Sequence, residues 1–422
     1  MAGKSTLQLK ICCNQFINTL LISTDVTENG TKFKNIRETY KISTFLLTLG
    51  LMYPNPVYDE KRKKLIVMAI LSVLPAFTLA GNDIRLRILN NDMANVVRQS
   101  IILVSITFVI IKFIISIARK DELRSLLEEI DADYERFNGM SEQYQDLVED
   151  TIRKTRKVEK SWCFVLLVTT ASYPVLAGAC TIYSQLFSDH PRRYMVHELK
   201  AILISEEQKY QSPYFEIVSL YTMYIVIFLF IGFTGFDGMF SVCLLHVSLK
   251  LKIYQENLRN LFNERDIQKI KYNIGLFVKN HCGVLRLIAK IQTCFEVWLV
   301  GIFINAVVQI GMAFTQITNQ TESDINQMYY LYALATVVHI YLPCYFASDV
   351  TYNAAEIANV AYSSSWERVQ DSKIRSSICF IIAKCQTPVR LTALDMLTFN
   401  MELFVSVGHQ IFSKHRIPCL RF

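Results

Sequence analysis

Residues 297–318 and 327–348 are each 22 positions long and contain no Asp, Glu, Lys or Arg. A helix of roughly 20 apolar residues crosses a hydrocarbon core about 30 Å thick, so either run is long enough to span a bilayer. They belong to a series of six long apolar segments, at about 65–86, 97–118, 162–186, 213–247, 294–316 and 327–348, with a weaker seventh near 391–412. One such run could be the buried helix of a large soluble protein, but six at regular spacing describe a membrane protein. A composition of 52% hydrophobic and 19% charged residues, with a mean hydropathy of +0.26, fits a chain divided between lipid and water.

The basic residues orient these segments. Of 44 Lys and Arg, 33 lie before residue 65 or in the intervals 119–161, 249–290 and 349–390, against 10 in the alternate intervals. Basic residues flanking membrane segments stay on the cytoplasmic side. The asymmetry therefore predicts a cytoplasmic N-terminus and, after seven crossings, an external C-terminus. Four consecutive charges, Lys61-Arg62-Lys63-Lys64, anchor the first span. This arrangement is the inverse of a G-protein-coupled receptor, and span 3 lacks the Asp/Glu-Arg-Tyr end of that class. The stretch Ile11–Val26 is short and broken by Asn14, Asn18 and Asp25, so the first span is expected to act as the insertion signal rather than a cleaved leader.

Several chemistries are excluded. The net charge of +7 resides mostly in loops, where anionic lipid accounts for it, and no basic patch interleaved with aromatics offers a nucleic-acid surface. Eleven cysteines form no CxxC pair and no metal-ligand spacing, so neither a cofactor nor a disulfide framework is expected. Cys12 and Cys13 read as a thiol pair rather than a lipidation site. No His/Asp/Glu constellation or Gly-x-Ser-x-Gly element suggests an intramembrane enzyme. Gly232, Gly235 and Gly238 in span 4 hint at the broken helix of a transporter, but no matching half exists.

The loops carry further expectations. Phe45–Tyr53 is too short to span and is expected at the membrane interface. Lys112, seven residues from Arg119, is expected to snorkel toward the cytoplasmic end. Leu123, Leu126, Leu127, Ile130, Tyr134 and Phe137 follow helical spacing and predict a cytoplasmic helix. The interval 249–290 has two apolar stripes, predicting spans 4 and 5 extended into the cytosol as packed helices. Loop 187–212 is expected to cover the outer mouth. Asp237 and Glu296 are expected to pair with basic loop residues, and His339 to be a hydrogen-bonded core histidine. Asn319-Gln320-Thr321 is a weak glycosylation sequon in an external loop; Asn29-Gly30-Thr31 falls on the cytosolic side and is expected to be unused.

At 349–407 the sequence takes on a recognisable pattern. Asp349–Ala361 leads to Tyr362 and Trp366, then to Ser376–Ala383, to Gln386-Thr387-Pro388, and to Leu391–Val407 with Phe404. This resembles the C-terminal signature of insect odorant receptors, and the length and inverted topology extend the resemblance to the whole chain. It implies an all-α membrane protein of seven transmembrane helices with cytoplasmic helical extensions. The implied activity is an odorant-gated, non-selective cation channel, a heterotetramer with an odorant co-receptor subunit, in the plasma membrane of an olfactory dendrite. The chain is similar to the tuning class, because its 249–290 interval lacks the long co-receptor insertion. Residues 1–348 would hold the tail, six spans and odorant pocket, and residues 349–422 the anchor helices and pore helix. Tyr362, Trp366, Gln386 and Pro388 would then contribute to the anchor and subunit contact, and Phe404 and Val407 to the pore helix.

Small volatile ligands need a shaped aromatic cavity. The outer halves of spans 2, 3, 4 and 6 offer Val104 and Phe108; Tyr173 and Leu176; Ile217, Tyr221 and Tyr224; and Tyr329, Tyr332 and Thr336. Each alone is accounted for by an aromatic belt or core packing; together they form the expected ligand pocket. The departure from the family pattern comes after Val407, where Gly408–Pro418 replaces an apolar helix with a charged, proline-containing tail. We read it as a variant terminal exon beginning at Gly408, a reading that the sequence of the transcript end decides. The rival functions are a gustatory receptor of the same superfamily and, further off, a G-protein-coupled chemoreceptor.

Overall fold

The computed structural model describes residues 32–197, 205, 207–318 and 326–414. Both sequons, Cys12, Cys13 and the chain beyond Lys414 lie outside them. After a helical turn at Ile36–Thr39 come α1 (Lys41–Leu49), α2 (Asp59–Leu89), α3 (Met93–Ala118), α4 (Lys120–Asn138), α5 (Glu142–Phe187), α6 (Tyr214–Asn260), α7 (Ile267–Thr318), α8 (Asn326–Tyr362), α9 (Ser372–Cys385), a hairpin of β1 (Thr392–Ala393) and β2 (Leu397–Thr398), and α10 (Met401–Lys414). Among the described residues six helices, α2, α3, α5, α6, α7 and α8, are long and apolar enough to cross a membrane. At 1.5 Å per residue the 47-residue α6 is about 70 Å long, roughly 40 Å more than a hydrocarbon core requires.

That excess forms a helical body at the Asn260 end of the bundle. Helix α6 passes through a 3-10 turn at Leu261–Asn263 into α7, with Leu251, Leu258, Leu261, Ile270, Ile274 and Phe277 all buried between them. The paired stripes of 249–290 thus pack as expected. Helix α4 also follows its spacing, burying Leu123, Leu126, Leu127, Ile130, Tyr134 and Phe137. The opposite end, near Asn90, is closed by Arg87, which chelates Asp83 and reaches Asp92 at 2.8 Å. Part of the 187–212 loop folds back there: Tyr194 N donates to Thr181 Oγ1, and His197 pairs with Gln99 at 2.6 Å.

Two expectations need correction. The short apolar stretch expected at the membrane interface instead docks as α1 inside the bundle, with Leu46 and Leu47 buried and Ser43 N donating to the Glu159 carboxylate of α5. The span-4 glycines make this possible. Helix α6 runs unbroken through Gly232, Gly235 and Gly238, and they serve close packing rather than a helix break: a Cβ on Gly235 would lie 2.8 Å from Leu47 N. The seventh apolar segment is also not one helix. Leu394 and Asp395 take positive φ (49° and 55°) in the tight turn of the hairpin, pinned where Thr392 N donates to Gln292 Oε1. Helix α10 begins only at Met401, where Asn400 Oδ1 caps Leu403 N, and it continues through Gly408 to Lys414.

Tyr221 and Tyr224 have a structural task. Pro75 interrupts α2, and a proline frees backbone groups that lipid cannot satisfy. The Tyr221 hydroxyl enters the adjoining rung, accepting from Ala76 N at 3.1 Å and donating to Ser72 O at 3.0 Å. Tyr224 meets the Ser72 hydroxyl, which itself donates to Ala69 O. Tyr221→Phe is expected to cost about 1–3 kcal/mol, the penalty for a buried donor left bare. Tyr224→Phe, which leaves Ser72 with its carbonyl partner, should cost less. Thermal melting of the solubilised variants checks this order, and equal melting of the two would refute it.

Candidate functional site

Helices α3, α7 and α8 meet along a ladder of polar residues that starts toward the Asn90 end and descends into the middle of the bundle. On its upper rung Ser105 of α3 donates to Ile101 O at 2.9 Å and accepts from Gln309 Nε2 of α7, also at 2.9 Å. Tyr332 of α8 approaches the same Ser105, and Thr336 Oγ1 donates to Tyr332 O at 2.9 Å. From α5, the Tyr173 hydroxyl lies close enough to Tyr329 and Tyr332 to feel both. Val104 and Phe108 are one residue before and three after Ser105. Five helical positions singled out by sequence, Phe108, Tyr173, Tyr329, Tyr332 and Thr336, therefore come from three separate helices to one place.

Below lies a closed ionic rung. Lys112, seven residues or about 10 Å along α3 from Ser105, pairs with Asp237 of α6 at 2.6 Å; the two residues are 0% and 6% exposed. Both carboxylate oxygens are filled. Oδ1 accepts from Lys112 and from Trp298 Nε1 at 3.0 Å, and Oδ2 accepts from His339 Nε2 at 2.7 Å, which places the imidazole hydrogen on Nε2. Lys112 also donates to Gly232 O, and its Nζ sits 4.6 and 4.3 Å from the ring centroids of Phe108 and Phe233. Trp162 of α5 stacks on His339 at 5.4 Å, and Phe108 meets the same ring edge-on. An ion buried in hydrocarbon must be paired, and this one is paired from four helices.

This overturns the snorkelling expected of Lys112 and the loop partner expected of Asp237. Lys112 has a carboxylate within reach at its own depth, so nothing drives its ammonium along the helix to water. The histidine expectation holds, since His339 is a hydrogen-bonded core residue. Glu296 does find a basic residue at the end of α3, Arg119, at 3.2 Å.

The other singled-out residues lie elsewhere. Val104 and Leu176 are half-buried, Ile217 is exposed, and the Tyr221 and Tyr224 hydroxyls are committed to α2. Tyr362, Gln386 and Pro388 are exposed near the Asn260 end, and Trp366 Nε1 donates to Tyr362 O. On α10, Val407 is buried and Phe404 packs edge-on against Tyr341, so these two hold the helix to the bundle. Its free face carries Glu402, Val405, Ser406 and His409. Sequence reasoning missed Asn305 and Gln309 of span 5 and Trp162 of span 3. Two side-chain amides at i and i+4 within a charge-free run were the available signal for the first pair.

Comparison with known proteins agrees with this architecture. The profile of the family described as 7tm Odorant receptor matches residues 92–412. Odorant receptor 85c of Drosophila melanogaster is 21% identical over 309 residues, covering 70% of this chain and 75% of that protein. Odorant receptors 22c and 82a of the same species are 21% and 19% identical, and the matched segments span only 41% and 48% of their lengths. The solved insect olfactory receptor OR5 from Machilis hrabei superposes with a TM-score of 0.72 over 91% of this chain and 98% of its own, at 16% identity. The same receptor in complex with eugenol gives 0.72 at 17% identity, over 90% of this chain and 97% of its own. A family match across well over half the sequence, on a helical bundle with six apolar spans, is decisive: this chain belongs to the odorant receptor family and is a multi-pass membrane protein.

Proposed function

We propose that this chain is an odorant-gated subunit of a non-selective cation channel, assembled as a heterotetramer with an odorant co-receptor in the plasma membrane of an olfactory dendrite. The observation that carries the reading is the convergence of Phe108, Tyr173, Tyr329, Tyr332 and Thr336, from three helices, directly above the Lys112–Asp237–His339 rung. A small apolar molecule held among these aromatics would press on Phe108, whose ring touches both Lys112 and His339. The eugenol complex of the structural neighbour supports a small organic ligand. The 33-to-10 distribution of basic residues supports a cytoplasmic N-terminus, with the Asn90 end outside.

The seventh crossing in this reading is α10, whose 14 residues reach about 21 Å. With Phe404 and Val407 packed inward, a pore would meet the face bearing Glu402, Val405, Ser406 and His409. Exposure of Tyr362, Gln386 and Pro388 supports the anchor contact with neighbouring subunits, and the folded-back residues 188–197 support a cover over the outer mouth.

Co-expression with and without a co-receptor, recording odour-evoked cation current, tests the proposal. Current is expected only with both subunits, and Tyr332→Ala should raise the half-maximal odorant concentration by about tenfold or more, equivalent to roughly 1.4 kcal/mol. Silence to a broad odorant panel despite surface expression would sink the reading. An N-terminal epitope reachable on intact cells would overturn the orientation.

A further inference from the structure

Gln309 holds a polar atom that the protein leaves unused. Its Nε2 donates to Ile101 O at 3.1 Å and to Ser105 Oγ at 2.9 Å. A carbonyl only accepts, so this amide cannot be turned over, and Oε1 is the atom directed away from α3. That oxygen is buried and has no hydrogen-bond partner among the described residues, in a side chain 1% exposed. One turn along α7, on the same face, the Oδ1 of Asn305 is also buried and unpartnered, in a residue 5% exposed. The Ser105 and Thr336 hydroxyls are already engaged. Ser105 donates to Ile101 O, and Thr336 donates to Tyr332 O. A bare acceptor in a membrane interior is costly, so these two oxygens would gain most from a donor brought from outside the chain.

We propose that Gln309 Oε1, with Asn305 beside it, is the polar subsite of the odorant pocket and takes the hydroxyl hydrogen of a small, neutral, apolar alcohol. The proposal rests on the channel reading above and names the ligand class of that same site. Neutrality is favoured from below, where Lys112 and Asp237 cancel each other at 2.6 Å and that rung offers no net charge to an ionic ligand. A hydroxyl suits the site twice over. It donates to Gln309, and its own oxygen can accept from the Tyr173 or Tyr329 hydroxyl of the same cluster. An ether of the same shape supplies no donor, and a hydrocarbon supplies neither donor nor acceptor.

The test uses two matched series, benzyl alcohol with anisole and ethylbenzene, and octanol with methoxyheptane and nonane, applied to the full chain co-expressed with a co-receptor. In at least one series the wild-type alcohol is expected to act at a half-maximal concentration about ten- to hundredfold below its ether, the effect of one buried acceptor satisfied or left bare. Gln309→Met removes the acceptor together with the two Nε2 bonds to α3, so it should erase the gap between alcohol and ether, whatever shift both responses share. Asn305→Leu, which leaves the Gln309 bonds to α3 untouched, should narrow it. Equal potency of alcohol and ether in the wild type, in both series, would overturn the subsite alone. Equal weakening of both ligands by the two variants would also overturn it, since it would assign the amides to packing or to a buried water. Silence to every compound would overturn the channel reading and the subsite with it.

Discussion

Asp237→Ala is expected to deplete the folded protein from the cell surface. Lys112 is fully buried, and Asp237 is the only carboxylate paired with it among the described residues. The substitution leaves an ammonium facing two aromatic rings and one carbonyl, and it strips Trp298 and His339 of their acceptor. Removing one partner of a buried pair costs about 3–5 kcal/mol, a large fraction of a typical total stability of about 5–15 kcal/mol. Lys112→Met should be milder. The carboxylate then keeps two N–H donors, and the apolar stem of Met fills the same path between Phe108 and Phe233. The double variant Lys112→Met/Asp237→Asn should recover much of the loss, because its amide oxygen still accepts from Trp298 and no charge remains. Surface labelling and size-exclusion profiles of the four proteins, with melting temperatures, test the order. Asp237→Ala that reaches the surface and melts like wild type would show that the rung is not holding these helices together.

The same rung marks where the sequence could be read and where it could not. Six apolar spans and their helical extensions were legible because length, hydropathy and 3.6-residue spacing are local properties, and α4 buries the stripe its spacing predicts. The pairing of Lys112 with Asp237 is not local. It joins positions 125 apart in sequence, and the seven residues to Arg119 were the only distance the sequence displayed. The two tyrosine pairs part company in an instructive way. Tyr221 and Tyr224 share a face as expected, but that face was already claimed by the proline break at Pro75, a demand set on another helix. Among the described residues Tyr329 and Tyr332 make no such bond to a neighbouring backbone, and they lie on the side of α8 toward Tyr173. The false continuity of 391–412 has a simpler cause: a three-residue loop whose first two φ values are positive is compatible with apolar neighbours, so hydropathy alone reads through it.

Gly235→Ala is the second large effect expected. A Cβ at Gly235 would sit 2.8 Å from Leu47 N, 2.9 Å from Leu46 C and 3.0 Å from Leu47 Cα, all backbone atoms that no rotamer change can move. Helix α1 would have to shift bodily, pulling Leu46 and Leu47 from their sites and loosening the Ser43–Glu159 contact to α5. Overpacking of this kind costs about 1–3 kcal/mol, against a gain of only about 1 kcal/mol from replacing a helical glycine with alanine. The neighbouring glycines separate backbone clash from side-chain clash. At Gly238 the new Cβ would meet the Ser43 hydroxyl at 2.6 Å, which can rotate away, so Gly238→Ala should be near neutral. At Gly232 it would meet Val109 Cγ1 at 2.5 Å, and a β-branched side chain yields less easily, so Gly232→Ala should fall between the two. Gly178 and Gly311 have nothing within 4 Å, and alanine there should raise stability by up to about 1 kcal/mol. Melting temperatures of the five alanine variants should therefore rank Gly311 and Gly178 highest, then Gly238, Gly232 and Gly235. A Gly235→Ala protein melting with Gly311→Ala would mean that α1 does not rest on the bare backbone of α6, and the role assigned here to the span-4 glycines would fall.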